Sequence, residues 1–296
     1  MGSSGYALRD YDEKKYFLEI VKELGIEYGY TEDYPSMENA HLAAGCEGIT
    51  IITNPMYPEL LDRFYALGVR YIAIRSIGVD HIDVAYAKKI GMGISHVTYS
   101  ANSVANYTIM LMLMACRNVP YILEKSKLQD FSLKGKIGKE LSRCTVGVVG
   151  TGKIGETVIR HLSSFGCRLL AYDLYPKDSV RDFAEYVPLN RLYAESDIIT
   201  LHVPGTSESF HMLNAAALEQ MKDGVILVNA ARGMLIDTAA LISALESGKV
   251  GFAALDTIEQ EAGLYYLNRE GDILSNRERA VLGAFPNVIL SPHMAF

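Results

Sequence analysis

The 296-residue sequence contains only four cysteines, and their spacing matches neither the common metal-binding motifs nor the redox motifs. Cys46, Cys116, Cys144 and Cys167 form no C-x-x-C pair, and no two histidines have the spacing of metal ligands. Scattered cysteines of this kind are typical of reduced thiols in a cytosolic protein. We therefore predict no metal site, no disulfide framework and a cytoplasmic location.

The sequence also lacks an excess of positive charge and any long apolar run. With 28 Lys and Arg against 35 Asp and Glu, its net charge is −7. This charge argues against a nucleic acid or an anionic membrane as a partner, because both favour a basic surface. The longest apolar run covers residues 109–116, far short of the roughly 18 residues that indicate a transmembrane helix. No basic-then-apolar signal sequence stands at the N-terminus.

One stretch, Val146–Asp173, has the pattern of a strand, a glycine turn, a helix and a second strand. Gly150, Gly152 and Gly155 have the G-x-G-x-x-G spacing: the first permits a tight turn, the second lets the backbone approach a pyrophosphate, and the third lets the helix pack closely on the strand. The N–H groups at the start of the helix would bind the phosphates. Asp173 would accept hydrogen bonds from the adenosine ribose and repel a 2′-phosphate. We predict a dinucleotide site that prefers NAD to NADP.

Alternating strand and helix patterns extend on both sides of this stretch, and the length of the chain favours two domains. Residues 12–24 predict a helix that ends at Gly25, and residues 259–286 predict a long loop. The buried stripe predicted for that first helix is Phe17, Ile20, Val21 and Leu24. Residues 1–5 are typical of an expression scar, which leaves only Tyr6–Leu8 of a first strand. We predict an α/β protein of two doubly wound parallel-sheet domains with the active site in the cleft between them.

Ser103–Arg117 predicts a Met- and Leu-rich helix that is apolar on nearly every side. Such a helix belongs either in a core or in a dimer interface, and the residues alone leave both alternatives open.

Three polar residues of the second domain come just after predicted strands, where doubly wound sheets bind ligands. Arg232 follows 227–229, Glu261 follows 254–256 and His293 follows 288–290. Reduction of a carbonyl by hydride requires an acid that titrates near neutral pH, and histidine is such an acid. A carboxylate in contact with His293 would favour imidazolium, and Arg232 could bind a carboxylate while polarising the carbonyl.

Several motifs resemble those of the D-2-hydroxyacid dehydrogenases. In chain order they are VGVVGTGKIG, SDIITLHVPGT, MKDGVILVNAARGMLIDTAAL, AALDTIEQE and PNVILSPHMAF, preceded by SIGVDHID at Ser76–Asp83 and VTYSANSVANYT at Val97–Thr108. The long loop between Glu261 and Phe285 resembles that of the D-lactate dehydrogenase branch, which includes the VanH-type enzymes. The resemblance covers nearly the whole chain. It implies reduction of a 2-oxo acid to the D-2-hydroxy acid with NADH.

The resemblance also implies roles for single residues. Arg232 would bind the substrate carboxylate and carbonyl, Glu261 would tune the histidine, and His293 would be the acid/base. The backbone of Gly78 and Val79 would hold the substrate carboxylate. The side chains that would line the substrate pocket are Tyr99 and Phe296. The positions that would contact NAD are Gly150, Gly152, Lys153, Ile154, Gly155, Asp173, Val203, Pro204, Ala230, Arg232 and Asp256.

By the same resemblance, residues 1–98 form a flavodoxin-like substrate domain and residues 99–292 a Rossmann NAD-binding domain. Residues 293–296 would return toward the substrate domain. Family members continue with a helix that completes the substrate domain, whereas this sequence ends at Phe296. The family's dimer forms around the helix that matches Ser103–Arg117, so we expect a homodimer.

Two other functions compete with this interpretation. One is an NAD-sensing binding protein similar to the C-terminal-binding-protein corepressors, whose partner-recruiting tails have no counterpart here. The other is a formate or phosphoglycerate dehydrogenase. Formate oxidation transfers no proton to a carbonyl, and a phosphorylated substrate would require basic residues that SIGVDHID does not supply. The sequence leaves open whether the substrate is pyruvate or a bulkier acid such as phenylpyruvate.

Overall fold

The computed structural model describes residues 2–98 and 100–296, and the chain divides into two compact units, residues 1–99 and 100–296. Within the described residues, no helix combines the length and the apolar character needed to cross a membrane.

The first unit contains one parallel sheet of five strands. The strands are β1 (Gly2–Gly5), β2 (Glu27–Tyr30), β3 (Gly48–Ile51), β4 (Tyr71–Ile74) and β5 (Gly93–His96). The helices are α1 (Lys14–Leu24), α2 (Pro58–Ala66) and α3 (Val84–Lys89). The sheet order β2-β1-β3-β4-β5 is that of flavodoxin-like proteins. Its core includes Phe64, Ile72 and Ile74, all of them buried.

The position of the first strand differs from the prediction. Gly2–Gly5, interpreted from the sequence as a scar, is β1 and pairs with both β2 and β3, so that interpretation missed a central strand. Tyr6 and Leu8, expected within the strand, are buried directly after it. At the end of the strand Tyr28 favours glycine, since a Cβ on Gly5 would be 1.9 Å from its hydroxyl oxygen.

Helix α1 ends as predicted, but its apolar stripe is not buried. Gly25 adopts φ +64° and caps the helix, as a left-handed glycine commonly does. No residue of α1 is buried, and Ile20 and Leu24 are 52% and 64% exposed. The aromatic contact of this helix is a stack of Phe17 on Tyr28 at 5.8 Å, so an apolar stripe along the sequence overstated the packing of α1.

The second unit contains one parallel sheet of seven strands. The strands are β6 (Thr145–Val149), β7 (Arg168–Tyr172), β8 (Glu185–Tyr186), β9 (Ile198–Leu201), β10 (Val225–Asn229), β11 (Val250–Leu255) and β12 (Val288–Leu290). Their order is β12-β11-β10-β9-β6-β7-β8. The order reverses between β6 and β9, which is the topological switch point of a Rossmann sheet. Two doubly wound parallel-sheet domains, one flavodoxin-like and one Rossmann, are therefore confirmed as the fold class.

Helices cover both faces of this sheet. They are α4 (Ala101–Cys116), α5 (Val119–Lys127), α6 (Lys153–Leu162), α7 (Asp178–Arg181), α8 (Leu189–Glu195), α9 (Ala215–Glu219), α10 (Thr238–Glu246) and α11 (Arg277–Ala284). Alternate residues of β10 belong to the two faces: Leu227 packs on one core cluster and Val228 on the other, which is the period of a strand buried on both sides. Half of the 16 residues of α4 are buried, so this helix forms part of the core of its own unit.

The loop predicted over residues 259–286 contains one helix that the sequence did not indicate. Asn276 caps α11 by accepting a hydrogen bond from the amide of Arg279 at 2.9 Å. Leu282 is the one buried residue of α11. The sequence therefore lacks the helical repeat of apolar residues that would have predicted this helix.

Candidate active site

The glycine turn between β6 and α6 has the geometry expected of a phosphate-binding turn. Gly150 adopts φ +94°, and a Cβ there would be 2.7 Å from the carbonyl carbon of His202. A Cβ on Gly155 would be 1.9 Å from the oxygen of Gly150, so α6 can pack this closely only with glycine there. A Cβ on Gly152 would meet no protein atom within 4 Å. The open space beside Gly152 therefore fits a pyrophosphate at the start of α6.

Asp173 lies directly after β7, next to this turn. One oxygen of its carboxylate accepts hydrogen bonds from the amide and hydroxyl of Thr151, at 2.6 and 3.1 Å. The other oxygen accepts one from the amide of Tyr175 at 2.8 Å. A carboxylate has about four acceptor positions, so one remains for a ribose hydroxyl. Together with the turn, this arrangement fits NAD, whose reduced form NADH would supply a hydride when bound.

The other predicted cofactor positions lie around the same edge of the sheet. Lys153 and Ile154 begin α6, Val203 and Pro204 follow β9 by two and three residues, and Ala230 follows β10 directly. His202, which sequence reasoning missed, stands between β9 and Val203 and lies against Gly150. Desolvation lowers the pKa of His202 to about 4, so its imidazole is neutral beside the phosphate turn.

Asp256, which the sequence predicted as a cofactor contact, forms several hydrogen bonds within the protein. Its side chain is fully buried directly after β11. One oxygen accepts hydrogen bonds from the hydroxyl of Ser291 at 2.5 Å and the amide of Met294 at 2.9 Å, and the other accepts one from the amide of Ala295 at 2.9 Å. Asp256 therefore fixes the backbone on either side of His293.

His293 forms the expected contact with Glu261. Its Nδ1 lies 2.8 Å from Oε1 of Glu261, and the two side chains are 21% and 27% exposed. An ionised carboxylate only accepts hydrogen bonds, so we assign the Nδ1 proton to this contact, which leaves Nε2 to face a substrate. His293 has φ +56°, a left-handed conformation, and its amide donates to the carbonyl oxygen of Asp256 at 2.8 Å.

Arg232 comes from a turn that Asn229 holds in place. The side chain of Asn229 donates to the carbonyl oxygen of Arg232 at 2.8 Å and accepts a hydrogen bond from the amide of Ala231 at 3.0 Å. Arg232, Glu261 and His293 follow the neighbouring strands β10, β11 and β12. The structure thus places all three at the carboxyl edge of one sheet, where doubly wound proteins bind ligands.

An aromatic side chain that the sequence gave no reason to select lies against His293. The hydroxyl of Tyr266 donates to the carbonyl oxygen of His293 at 2.8 Å. Its ring lies 5.9 Å from the imidazole and 6.4 Å from the ring of Phe296, edge to face with the latter. Tyr266 stands in an aperiodic loop, so neither spacing nor strand position indicated it.

The predicted carboxylate-binding positions of the first unit follow β4. Gly78 and Val79 are half-buried, and the hydroxyl of Ser76 donates to the carbonyl oxygen of Gly78 at 2.9 Å. Tyr99, predicted to line the pocket, lies outside the described residues. In residues 2–98 and 100–296, no group of three or more His, Cys, Asp or Glu side chains could hold a metal ion.

Comparison with known proteins assigns the chain to a family. Residues 109–295 match the NAD-binding domain of D-isomer specific 2-hydroxyacid dehydrogenases. An aromatic 2-oxoacid reductase of Clostridium sporogenes is 41% identical over 288 residues, which is 94% of this chain and 86% of that protein. The D-lactate dehydrogenase of Escherichia coli is 37% identical, over 98% of this chain and 89% of that protein.

Solved structures give the same result. A D-2-hydroxyisocaproate dehydrogenase superposes with a TM-score of 0.86 at 36% identity, covering 100% of this chain and 90% of that one. The D-lactate dehydrogenase of Lactobacillus jensenii, solved with NAD⁺, superposes with a TM-score of 0.82 at 28% identity, with the same coverage. NAD is therefore the cofactor of this fold, and the chain belongs to the D-isomer specific 2-hydroxyacid dehydrogenase family, in its D-lactate dehydrogenase branch.

Proposed function

We propose that this protein reduces 2-oxo acids to D-2-hydroxy acids with NADH, and that His293 provides the proton. The observation that carries this proposal is the 2.8 Å contact between Nδ1 of His293 and Oε1 of Glu261. The pair stands at the carboxyl edge of the sheet that contains the glycine turn. An acid at this edge and a hydride donor on the same sheet are the two components of carbonyl reduction.

The three polar residues have separate tasks in this reaction. Imidazolium at His293 donates a proton to the carbonyl oxygen, and neutral imidazole takes it back in the reverse reaction. Glu261 compensates the positive charge and keeps the ring oriented through Nδ1. Arg232 binds the substrate carboxylate and stabilises negative charge as it develops on the carbonyl oxygen.

We infer that bulky 2-oxo acids are better substrates than pyruvate. The ring of Tyr266 lies 5.9 Å from the imidazole of His293 and 6.4 Å from the ring of Phe296, and the two aromatic side chains are 44% and 51% exposed. Edge-to-face aromatic contacts contribute about 0.5–1.5 kcal/mol beyond area burial. The similarity to an aromatic 2-oxoacid reductase supports the same inference.

The test is a panel of pyruvate, 2-oxoisocaproate and phenylpyruvate with NADH, in which kcat/KM is compared and the chirality of the product is determined. We expect D-2-hydroxy acids from all three and the largest kcat/KM for phenylpyruvate. His293→Ala should lower kcat by about 10²–10⁴, the usual contribution of general acid catalysis. Absence of turnover with every acid would contradict the proposal, whereas preference for pyruvate would contradict only the substrate class.

The similarities do not favour the alternative of an NAD-sensing binding protein, since the relatives compared here are reductases and dehydrogenases. We also propose that residues 1–98 are the substrate domain, that residues 99–292 are the NAD-binding domain, and that residues 293–296 return toward the substrate domain. A cytoplasmic location is supported by four free cysteines, which suit a reducing compartment.

We propose further that the protein is a homodimer through the helix predicted over Ser103–Arg117. On α4, Met110 is 41% exposed and lines a groove of about 520 Å³ with Leu113, Met114 and Phe165. A second set of apolar side chains is largely exposed close by in sequence, at Leu128, Phe131, Leu133 and Ile137. Exposed apolar surface of this extent is typical of protein–protein interfaces.

A further inference from the structure

A second histidine–carboxylate pair lies outside the residues assigned so far. Nε2 of His211 is 2.7 Å from Oε1 of Glu259. The other oxygen of Glu259 accepts hydrogen bonds from the amide and hydroxyl of Thr238, at 3.0 and 2.6 Å. The two side chains are largely buried, at 29% and 20% exposure. Three hydrogen bonds thus converge on a carboxylate that stands only two residues before Glu261.

The pair joins the loop after β9 to the turn that carries Arg232. The amide of His211 donates to the carbonyl oxygen of Met234 at 2.9 Å, and the amide of Leu213 donates to that of Leu235 at 3.0 Å. A Cβ on Gly205, in the same loop, would be 3.2 Å from the Cγ of Arg232. The loop that begins after β9 therefore packs along the backbone and side chains of the Arg232 turn.

Glu259 connects this turn to the segment that carries Glu261. A Cβ on Gly233 would be 2.1 Å from the carbonyl of Ile258 and 2.5 Å from the amide of Glu259. The amide of Ile258 in turn donates to Oε2 of Glu261 at 3.3 Å. The peptide bond between Ile258 and Glu259 therefore packs directly against Gly233, and the hydrogen bonds of the Glu259 side chain hold it in that position.

His211 also has a backbone conformation that needs support. Its φ is +49°, in the left-handed region that residues other than glycine rarely adopt, although histidine does so more readily than most. The ring stacks on Phe210 with 3.9 Å between centroids. Strained conformations persist where surrounding contacts hold them, and they cluster near functional sites.

We propose that His211 and Glu259 are positioning residues, which hold the Arg232 turn in register with the Glu261–His293 pair. This inference rests on the proposed function, because it is Arg232 that binds the 2-oxo acid. Without the pair, the turn that carries Arg232 can shift relative to His293. A displacement of about 1 Å between reacting groups can lower the rate by about 10²-fold. The glycine turn that we assign to the pyrophosphate of NADH follows β6, whereas the pair holds the turn after β10, so its removal should affect the 2-oxo acid more than NADH.

The test compares His211→Ala with His211→Gln in steady-state kinetics with phenylpyruvate and NADH. In His211→Ala we expect kcat/KM for the 2-oxo acid to fall about 10–100-fold, largely through KM, while KM for NADH rises by a smaller factor. A Gln amide places a donor near the position of Nε2, so His211→Gln should recover most of the lost activity.

The matched control is His41→Gln, in the first unit, where Nδ1 of the exposed imidazole lies 2.9 Å from the backbone carbonyl oxygen of Glu38. We expect wild-type kinetics from this variant. If His211→Ala loses kcat in proportion to its unfolded fraction and keeps the wild-type KM, the pair is merely structural and the inference is wrong. An active wild type with an unchanged His211→Ala would contradict this inference alone, whereas an inactive wild type would contradict the proposed function as well.

Discussion

At the scale of single residues, two carboxylates two positions apart serve two different histidines. Glu259 contacts His211 and Glu261 contacts His293, at 2.7 and 2.8 Å. Both contacts are charge-assisted. Of the two histidines, His293 is the one that follows β12, at the strand end where the candidate reaction site lies. The two carboxylates therefore allow the charge beside the acid and the position of the turn to be altered separately.

Replacing Glu261 with Gln tests the charge beside His293. The amide keeps the size and a hydrogen bond but does not compensate the positive charge that the ring carries when it donates its proton. We therefore expect kcat for the 2-oxo acid to fall by about tenfold, or 1.4 kcal/mol. Steady-state kinetics of both enzymes with phenylpyruvate and NADH measure this loss. An unchanged kcat would mean that Glu261 does not assist the acid.

Replacing Glu259 with Gln tests the second carboxylate through stability. Burial raises the pKa of Glu259, but the hydrogen bonds from His211 and Thr238 outweigh it, and the net pKa lies below the ordinary 4.5. A carboxyl with a lowered pKa stabilises the fold fully above its unfolded value and loses this contribution as pH falls through the folded value. The wild type should therefore exceed Glu259→Gln in free energy of unfolding near neutral pH, and the gap should shrink below about pH 4.5. Urea denaturation at several pH values measures it, and a gap independent of pH would contradict the assignment.

We propose that Asp173 determines the choice between NADH and NADPH. Its carboxylate already accepts three hydrogen bonds within the protein, so it is fixed where a 2′-phosphate would meet its negative charge. We expect kcat/KM to favour NADH by at least about tenfold, or 1.4 kcal/mol, and Asp173→Ser to narrow that difference. Glu185→Gln, which removes a carboxylate from the surface ion pair with Arg168, is the control. Equal kcat/KM for the two wild-type cofactors would refute the role of Asp173.

At the scale of elements, the sequence predicted best where local chemistry and packing agree. The second strand predicted within Val146–Asp173 and the strand predicted before Arg232 are both present, as Arg168–Tyr172 and Val225–Asn229, because their apolar residues are buried on both faces of the sheet. The chemistry of Gly2–Gly5 argued against a strand, and only its neighbours β2 and β3 and the ring of Tyr28 make it one. Such tertiary contacts are not visible along the sequence.

The candidate site follows the same rule. Arg232, Glu261 and His293 could be selected because each follows a recognisable strand, and parallel strands bring their ends together. Tyr266 and His211 could not be selected, since each lies in an irregular loop and acquires its partners only when distant segments meet. The sequence predicted Asp256 as a cofactor contact. Its buried hydrogen bonds with residues 291–295 could not be predicted, because they depend on the backbone conformation of that segment.

The turn between β6 and α6 permits a matched pair of substitutions. A methyl group on Gly155 would collide with the oxygen of Gly150, whereas one on Gly152 would meet no protein atom within 4 Å. We expect Gly155→Ala to lower the free energy of unfolding by about 1–3 kcal/mol, as overpacking does. Gly152→Ala should lower it by about 1 kcal/mol or less, the usual effect at a helix N-cap, but weaken NADH binding. Denaturation and fluorescence titration with NADH would separate the two effects, and normal NADH affinity in Gly152→Ala would place the pyrophosphate elsewhere.

At the scale of the whole molecule, each unit has its own sheet and its own apolar core. Helix α4 divides its residues between that core and the surface: Leu111 and Met112 are buried, whereas Met110 borders the groove. The sequence did not decide whether this helix belongs to a core or to an interface. In the structure, one side of α4 packs in the core of the Rossmann unit, and the other side presents apolar residues at the surface.

A dimer through this face makes a specific prediction about assembly. A stable interface buries about 1,200–2,000 Å², and a charge placed at the centre of its apolar surface is unfavourable without a partner. Sedimentation should therefore give twice the chain mass of 32.7 kDa for the wild type and the single mass for Met110→Asp. Ile273→Asp introduces the same charge at a fully exposed apolar residue in the loop before α11, so this control should remain dimeric. A monomeric wild type at micromolar concentration would refute the dimer, and a Met110→Asp protein that stays dimeric would move the interface away from α4.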